Sequence, residues 1–164
     1  MKLSHLVACS ALAGASLSFV APVSAQDVIL PYIGNGIPDP RAPISSLPFT
    51  IDKSGSYYLT KNLTGVAGQR GITVSASDVT IDLNGFTLIG VAGSAEGIWS
   101  TGFADRISVA NGIVRDWGEE GIQLGVASVV RLENLTVHGN GSSGALPGVT
   151  FKGSGVVKCV VSEG

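Results

Sequence analysis

The chain has 164 residues and a formal net charge of −2 at pH 7, with 10 Lys and Arg against 12 Asp and Glu. It contains no run of Lys or Arg that could follow a phosphate backbone, so we do not expect nucleic acid as a partner. Two cysteines and two histidines are too few for a soft-metal site, and we expect neither a metal nor another cofactor.

The first 25 residues have the layout of a secretory signal peptide. Lys2 gives a positive start, residues 6–23 form an apolar and small-residue stretch, and Val23-Ser24-Ala25 resembles a cleavage site. Ser and Gly dilute the apolar stretch, which argues against a membrane anchor. We predict an exported protein, either secreted, periplasmic or at the cell surface, with no membrane span once the signal is removed.

Two segments precede the main part of the chain. Residues 26–47 contain four prolines among Gly, Asp and Ser, which predicts an extended and weakly ordered leader. Residues 48–70 contain strand-like stretches broken by Lys53-Ser54-Gly55. We predict that they form an N-terminal β cap, because the open end of a repeat structure would expose apolar side chains and unpaired strand edges.

A glycine followed by a branched aliphatic residue then recurs at steps of 26, 24 and 27 residues: Gly71-Ile72, Gly97-Ile98, Gly121-Ile122 and Gly148-Val149. Two apolar series keep similar spacing: Ile81, Val109, Leu132 and Val156, and also Leu88, Val114, Val137 and Val161. A repeat of this length indicates a solenoid. Three inward positions per repeat predict an all-β parallel β-helix over residues 71–164, with three short strands per turn and about four turns.

Alternation within the opening strand of each repeat places its second residue outside the coil. The resulting outward column consists of Thr73, Trp99, Gln123 and Thr150. Asn111 and Asn134 fall at matching points of two turns, where stacked asparagines can bond one another. Asn84 also heads an Asn-Gly pair, but the strand before it is one residue out of phase.

The stretch VTIDLNGFTL at 79–88, preceded by GSYYL at 55–59, resembles the start of bacterial right-handed β-helix proteins of the pectate-lyase-like superfamily. The resemblance covers roughly residues 48–164 and implies a right-handed coil. It leaves activity open, because polysaccharide lyases, glycoside hydrolases, epimerases and non-catalytic surface proteins share this fold. No residue of this chain matches a catalytic residue of the family, so catalytic residues are unknown.

Trp99 is the main candidate for ligand binding. A flat aromatic ring beside Gln123 and the threonines of its column suits a sugar, which has an apolar face and polar edges. The alternative is that Trp99 packs beneath the loop 91–96. Trp117 lies in a predicted turn and either extends the same surface or covers the flank of the coil.

Charged residues in the turns offer weaker candidates. The pair Glu119-Glu120 has the residue types of an acid and a base, but neighbours in a turn point apart and acidic turns often serve only solubility. Three pairs are expected to be solvated ion pairs across turns, each of small energetic value: Asp105 with Arg106, Arg115 with Asp116, and Arg131 with Glu133.

The sequence ends in mid-repeat at residues 161–164, which suggests either the N-terminal part of a longer protein or a truncated reading frame. Three hypotheses follow. The first is an exported β-helix that contacts extracellular polysaccharide through Trp99, Gln123 and Trp117. The second is the N-terminal part of a polysaccharide lyase or glycoside hydrolase whose catalytic turns lie downstream. The third is a structural or adhesive surface protein.

Overall fold

The computed structural model describes residues 32–33, 37–102, 104–125, 129–141, 148–152 and 154–162, with only the backbone for 32–33, 37–38 and 159–162. The predicted signal peptide and the first part of the leader lie outside these residues. The described part of the chain contains no helix, and hence none long and apolar enough to cross a membrane.

Strands and turns make up the described residues. The strands are β1 (Tyr32–Ile33), β2 (Ile37–Pro38), β3 (Ala42–Ile44), β4 (Phe49–Ile51), β5 (Gly55–Leu59), β6 (Leu63–Thr64), β7 (Ile72–Val74), β8 (Val79–Asp82), β9 (Thr87–Ile89), β10 (Ile98–Ser100), β11 (Ile107–Arg115), β12 (Ile122–Leu124), β13 (Val129–His138), β14 (Val149–Phe151) and β15 (Ser154–Ser162).

The strands stack in two long parallel sheets. One sheet has the order β14-β12-β10-β7-β4, and the other has the order β15-β13-β11-β8-β5-β3 with β6 and β9 beside it. Nearly every neighbour in a sheet comes from the next turn of the chain, so the prediction of an all-β parallel solenoid of about four turns is confirmed. Its right-handedness and its three strands per turn stay predictions. Among the described strands, only β1 and β2 pair antiparallel, as a separate two-stranded sheet.

The apolar series predicted to face inward form the core. Ile72, Ile98 and Ile122 lie in register and are fully buried, as are Leu88, Val114 and Val137. Branched aliphatic residues suit these positions because the pleat of each short strand directs alternate side chains into the coil. The inward position after Ile98 holds Ser100, whose buried hydroxyl accepts a hydrogen bond from the Gly125 N–H at 2.9 Å.

One position of the predicted series is wrong by a residue. Leu132 pairs with Val157, whereas Val156 pairs with Arg131 on the outer side and is 53% exposed. The cause is an irregularity in β13, where Asn134 adopts φ 51° and has no counterpart in β15. For the residues before Asn134, the register predicted from a constant repeat spacing is therefore wrong by one residue.

The repeated glycines allow successive turns to come close at one corner of the coil. The N–H of Ile72 donates to the Gly97 carbonyl at 2.8 Å, and that of Ile98 donates to the Gly121 carbonyl at 2.9 Å. A Cβ atom at Gly71 would lie 2.4 Å from the Gly97 oxygen, and one at Gly97 would lie 2.5 Å from the Gly121 oxygen. Glycine is therefore required at these two positions because there is no room for a Cβ atom, and not because of the backbone dihedral angles.

The segments predicted as leader and cap contribute strands to both sheets of the coil. Each strand of residues 48–70 pairs in parallel with the corresponding strand of the next turn, so this segment is a turn of the coil itself. The strand β3 then pairs with β5, and Ile44 is fully buried beneath it. The last part of the predicted leader is thus the ordered segment at this end of the eight-stranded sheet.

An ion pair holds the segment before β3 against the coil. Arg41 binds the buried carboxylate of Asp39 through Nε at 3.0 Å and through a terminal nitrogen at 2.7 Å. Its other terminal nitrogen reaches Asp82 of β8 at 2.9 Å, and its guanidinium lies 4.5 Å from the centre of the Tyr58 ring. These hydrogen bonds from Arg41 hold the pKa of Asp39 below its usual value, although burial opposes the shift.

Polar contacts also connect the turns on the outside of the coil. Asn134 donates to the side-chain oxygen of Asn111 at 3.1 Å, which confirms the predicted asparagine pair. The side-chain amide of Asn111 donates to a carboxylate oxygen of Asp82 at 3.2 Å, whereas that of Asn84 donates to the Leu59 carbonyl at 3.3 Å. Asn84 is therefore not part of this row of hydrogen-bonded side chains. The carboxylate of Asp82 takes the position after Asn111.

The three expected ion pairs all form, but each joins residues close together in the sequence. The prediction that they bridge turns is wrong. Bridges between turns come from Arg41 with Asp82, Arg106 with Asp78, and Arg70 with Glu96. Residues at matching positions of successive turns are far apart in the sequence but close in space, so their side chains can form ion pairs.

The glycine corner gives the first testable prediction. Replacing Gly97 by Ala places a methyl group against backbone, and we expect a loss of about 1–3 kcal/mol in the free energy of unfolding. Urea denaturation would measure it. Gly102→Ala is the matched control, because a Cβ there meets no atom within 4 Å. Equal stabilities for the two variants would contradict the close-approach argument.

The Asp39–Arg41 pair gives a second prediction. A carboxyl whose pKa is lowered by folding stabilises the protein above its unfolded pKa, and this contribution is lost as the pH falls through the folded pKa. We therefore expect Asp39→Asn to be less stable than the parent at neutral pH, with the difference disappearing in acid. Thermal unfolding from neutral to acidic pH would test this, with the exposed Asp52→Asn as the control. A difference that does not change with pH would rule out the ion pair as its source.

Candidate functional site

The outer side of the five-stranded sheet carries the column predicted from the sequence. Thr73, Trp99, Gln123 and Thr150 lie in register on β7, β10, β12 and β14, and Thr50 of β4 extends the column by one turn. We call this row of five residues the outer column. Parallel strands lie roughly 4.8 Å apart, so the column spans roughly 19 Å.

Trp99 is half-buried, and a cation covers part of its ring. The guanidinium carbon of Arg70 lies 4.1 Å from the ring centre, a distance at which cation–π attraction operates. Arg70 lies two residues before β7, in the turn that leads into this strand. The strand β7 is the neighbour of β10, which contains Trp99. The contact that shapes the surroundings of Trp99 is thus made by Arg70, a partner that neither sequence hypothesis named.

Glu96 holds Arg70 in this position. Its carboxylate accepts hydrogen bonds from Arg70 Nε at 2.8 Å and from a terminal nitrogen at 3.4 Å. The Glu96 side chain is only 4% exposed, whereas the Arg70 side chain is 44% exposed. A carboxylate buried this deeply needs its cation, because the loss of one partner leaves a charge without compensation.

The residues immediately before the repeated glycines form a second column, which the sequence analysis missed. Gly71 donates its N–H to the Glu96 carbonyl at 2.9 Å, and Gly97 donates to the Glu120 carbonyl at 3.0 Å. These bonds stack Arg70, Glu96 and Glu120 on successive turns. The signal was present in the sequence, since all three precede a glycine of the repeat.

Glu120 and Glu119 have different surroundings. Glu120 is 7% exposed and accepts a hydrogen bond from the side-chain amide of Gln123 at 3.2 Å. Glu119 is exposed and lines the groove described next. Their separation agrees with the expectation that neighbouring acids in a turn point apart, and it does not bring two carboxylates to one reacting position.

An open groove of about 490 Å³ lies beside the outer column. Its walls include Thr50 and Thr73 of the column, the turn residues Gln69 and Arg70, and Glu119 from the turn before β12. Hydroxyl, amide, guanidinium and carboxylate groups therefore face one concave surface. Such a surface offers hydrogen bonds at several points along a polar ligand.

Trp117 does not belong to this surface. It is 1% exposed, and its indole lies flat against Gly65, Gly71 and Gly97, where added Cβ atoms would come within 2.6–2.8 Å of the ring. The indole N–H points to the Leu88 carbonyl at 3.4 Å. This burial favours the alternative expectation, that Trp117 covers the flank of the coil, because the missing side chains of the glycine corner leave a slot that the ring fills.

Within the described residues, no group of three or more His, Cys, Asp or Glu side chains is arranged to hold a metal ion. The arrangement on the sheet therefore offers a half-buried aromatic ring, hydroxyls, one amide and several carboxylates. These groups can contact a polar ligand by stacking and hydrogen bonding.

Comparison with known proteins gives no family assignment. No protein-family model, no curated protein and no solved structure matches this chain. The resemblance to the pectate-lyase-like superfamily thus remains a statement about sequence pattern, and the fold is known from the structure described above.

The different burial of the two tryptophans gives a third prediction. In the parent protein, iodide should quench part of the fluorescence, because Trp99 is half-exposed and Trp117 is not. The variant Trp99→Phe leaves only Trp117, and its emission should be shielded from iodide. Stern–Volmer measurements on both proteins would compare them. Equal quenching of the parent and the variant would show that Trp99 is shielded and would remove it from the surface.

Proposed function

We propose that this chain is an exported β-solenoid of the pectate-lyase-like type that binds extracellular polysaccharide along the outer column. The observation that carries the proposal is the half-buried ring of Trp99 beside an open groove with polar walls. Sugars combine apolar C–H faces with hydroxyl edges, so a single aromatic ring flanked by hydrogen-bonding groups fits their chemistry.

The shape of the site supports an extended ligand. The outer column runs across five strands of the sheet and presents Thr50, Thr73 and Gln123 on either side of Trp99. At roughly 4.8 Å per turn, this length accommodates several linked sugars rather than one. The parallel sheet also fixes the positions of these side chains, so little ordering is needed when a ligand binds.

The surroundings of Trp99 define how a sugar would approach. Arg70 occupies part of the ring face, its side chain is 44% exposed, and it lines the groove. A sugar would therefore contact the uncovered part of the ring and accept hydrogen bonds from Arg70 at the same time. Glu96 fixes this arrangement because it holds the guanidinium from below.

Catalysis is not part of the proposal. Glu96 is committed to Arg70, and Glu120 is buried beside Gln123, so the face does not bring an acid and a base to one sugar position. Export follows from the signal-peptide pattern of residues 1–25, which is the reason for naming an extracellular polymer as the ligand.

The proposal predicts retarded migration of the protein in native gels that contain a soluble polysaccharide. Trp99→Ala should weaken the interaction by at least about tenfold, as expected for a central aromatic contact. Ile113→Ala is the matched control, since Ile113 is a half-buried apolar residue on the eight-stranded sheet. The gels would contain anionic, neutral and cationic polymers in turn.

Two results would contradict the proposed function. Migration unaffected by every polymer would show that the protein has no polysaccharide affinity of this kind. Retardation that Ile113→Ala reduces as much as Trp99→Ala would place the binding outside the outer column. Circular dichroism of both variants would show that each retains its strands.

A further inference from the structure

The charges around the groove are not balanced. The column before the glycines contains one cation, Arg70, and two carboxylates, Glu96 and Glu120, while Glu119 adds a third carboxylate at the groove wall. Arg70 neutralises Glu96 through their hydrogen-bonded ion pair. Glu119 and Glu120 then remain as two carboxylates for which no cation is found at salt-bridge distance among the described residues.

The opposite edge of the sheet does not change this balance. Asp52 follows β4 and Lys152 follows β14, and both are exposed at the ends of their strands. Their charges cancel, and Lys53, which is exposed next to Asp52, adds one positive charge at that edge. The negative charge is therefore concentrated at the edge where the groove lies, near Glu119 and Glu120.

Glu96 already neutralises the charge of Arg70, so Arg70 attracts an anionic ligand only weakly. Its guanidinium donates two hydrogen bonds to Glu96 and packs against the Trp99 ring, so an incoming carboxylate would compete with a partner that is already buried. Breaking that pair leaves Glu96 without its cation in a buried position. Any acidic group on the ligand would also be repelled by Glu119 and Glu120.

We infer that the groove selects polysaccharides with free amino groups over neutral chains and over chains with carboxylates. This inference rests on the proposed polysaccharide function and adds the charge of the ligand to it. An ammonium group on the sugar would pair with the exposed carboxylate of Glu119, which has no such partner in the described structure. The sugar next to it would lie against Trp99.

The test compares three soluble oligosaccharides of equal length by isothermal titration calorimetry. They are β-1,4-linked glucosamine, its fully N-acetylated form, and galacturonate, all at a pH at which the amines are protonated and ordinary carboxyls are ionised. The first two differ only at the C2 nitrogen, which is an ammonium group in one and an acetamide in the other. We expect glucosamine to bind about two- to fivefold more tightly than the acetylated form at low salt, and galacturonate to bind most weakly.

Two variants test which carboxylate binds the ammonium group of the sugar. Glu119→Gln should remove most of the preference for the amino form, measured as the ratio of the two affinities. Glu133→Gln makes the same change in net charge on the eight-stranded sheet and should retain the preference. High salt should reduce the preference in the parent protein, because the pair with Glu119 is exposed to solvent.

The outcomes separate this inference from the function on which it rests. Equal affinity for the amino and acetylated forms, or tighter binding of galacturonate, would overturn the inference and leave polysaccharide binding standing. A preference that survives Glu119→Gln in full would overturn the assignment to Glu119. Binding of none of the three oligosaccharides, together with unaffected migration in all polysaccharide gels, would overturn both proposals.

Discussion

The close approach of successive turns at the glycine corner is the constraint on which the remainder of the coil depends. At Gly71 and Gly97 the carbonyl of the next turn lies where a side chain would begin. This contact lets the hydrogen bonds between opening strands form at normal length, and it leaves the slot that Trp117 fills. One small residue per turn thus supports both the backbone ladder and the largest buried side chain.

Stacking also determines which side chains meet. Residues about 25 positions apart become immediate neighbours, so the outer surface is organised by turn position more than by distance along the chain. Arg70 with Glu96 and Asn111 with Asn134 both follow this rule. Such contacts align the turns with one another, because each is made only when the two strands are in register.

The same rule places the candidate site residues on one sheet. The column before the glycines stacks Arg70, Glu96 and Glu120 on successive turns, and Glu96 fixes Arg70 against the Trp99 ring. Arg70, which contacts the ring, and the carboxylate-bearing Glu119 line the same groove. The ligand proposed for it, a polymer with amino groups, follows from this charge distribution and not from the solenoid fold, which serves many activities.

The sequence by itself determined the parallel solenoid, its inward columns and the outward position of Trp99 and Gln123, because a repeat constrains every turn in the same way. Only the tertiary structure decided the burial of Trp117, the shift at Val157, the role of residues 39–47 and the contact between Arg70 and Trp99. Each depends on what a neighbouring turn places opposite a residue. The strand β15 lacks a counterpart of Asn134, and the glycines leave a slot between turns. Both features change which residues face one another, but neither alters the repeat spacing from which the fold was predicted.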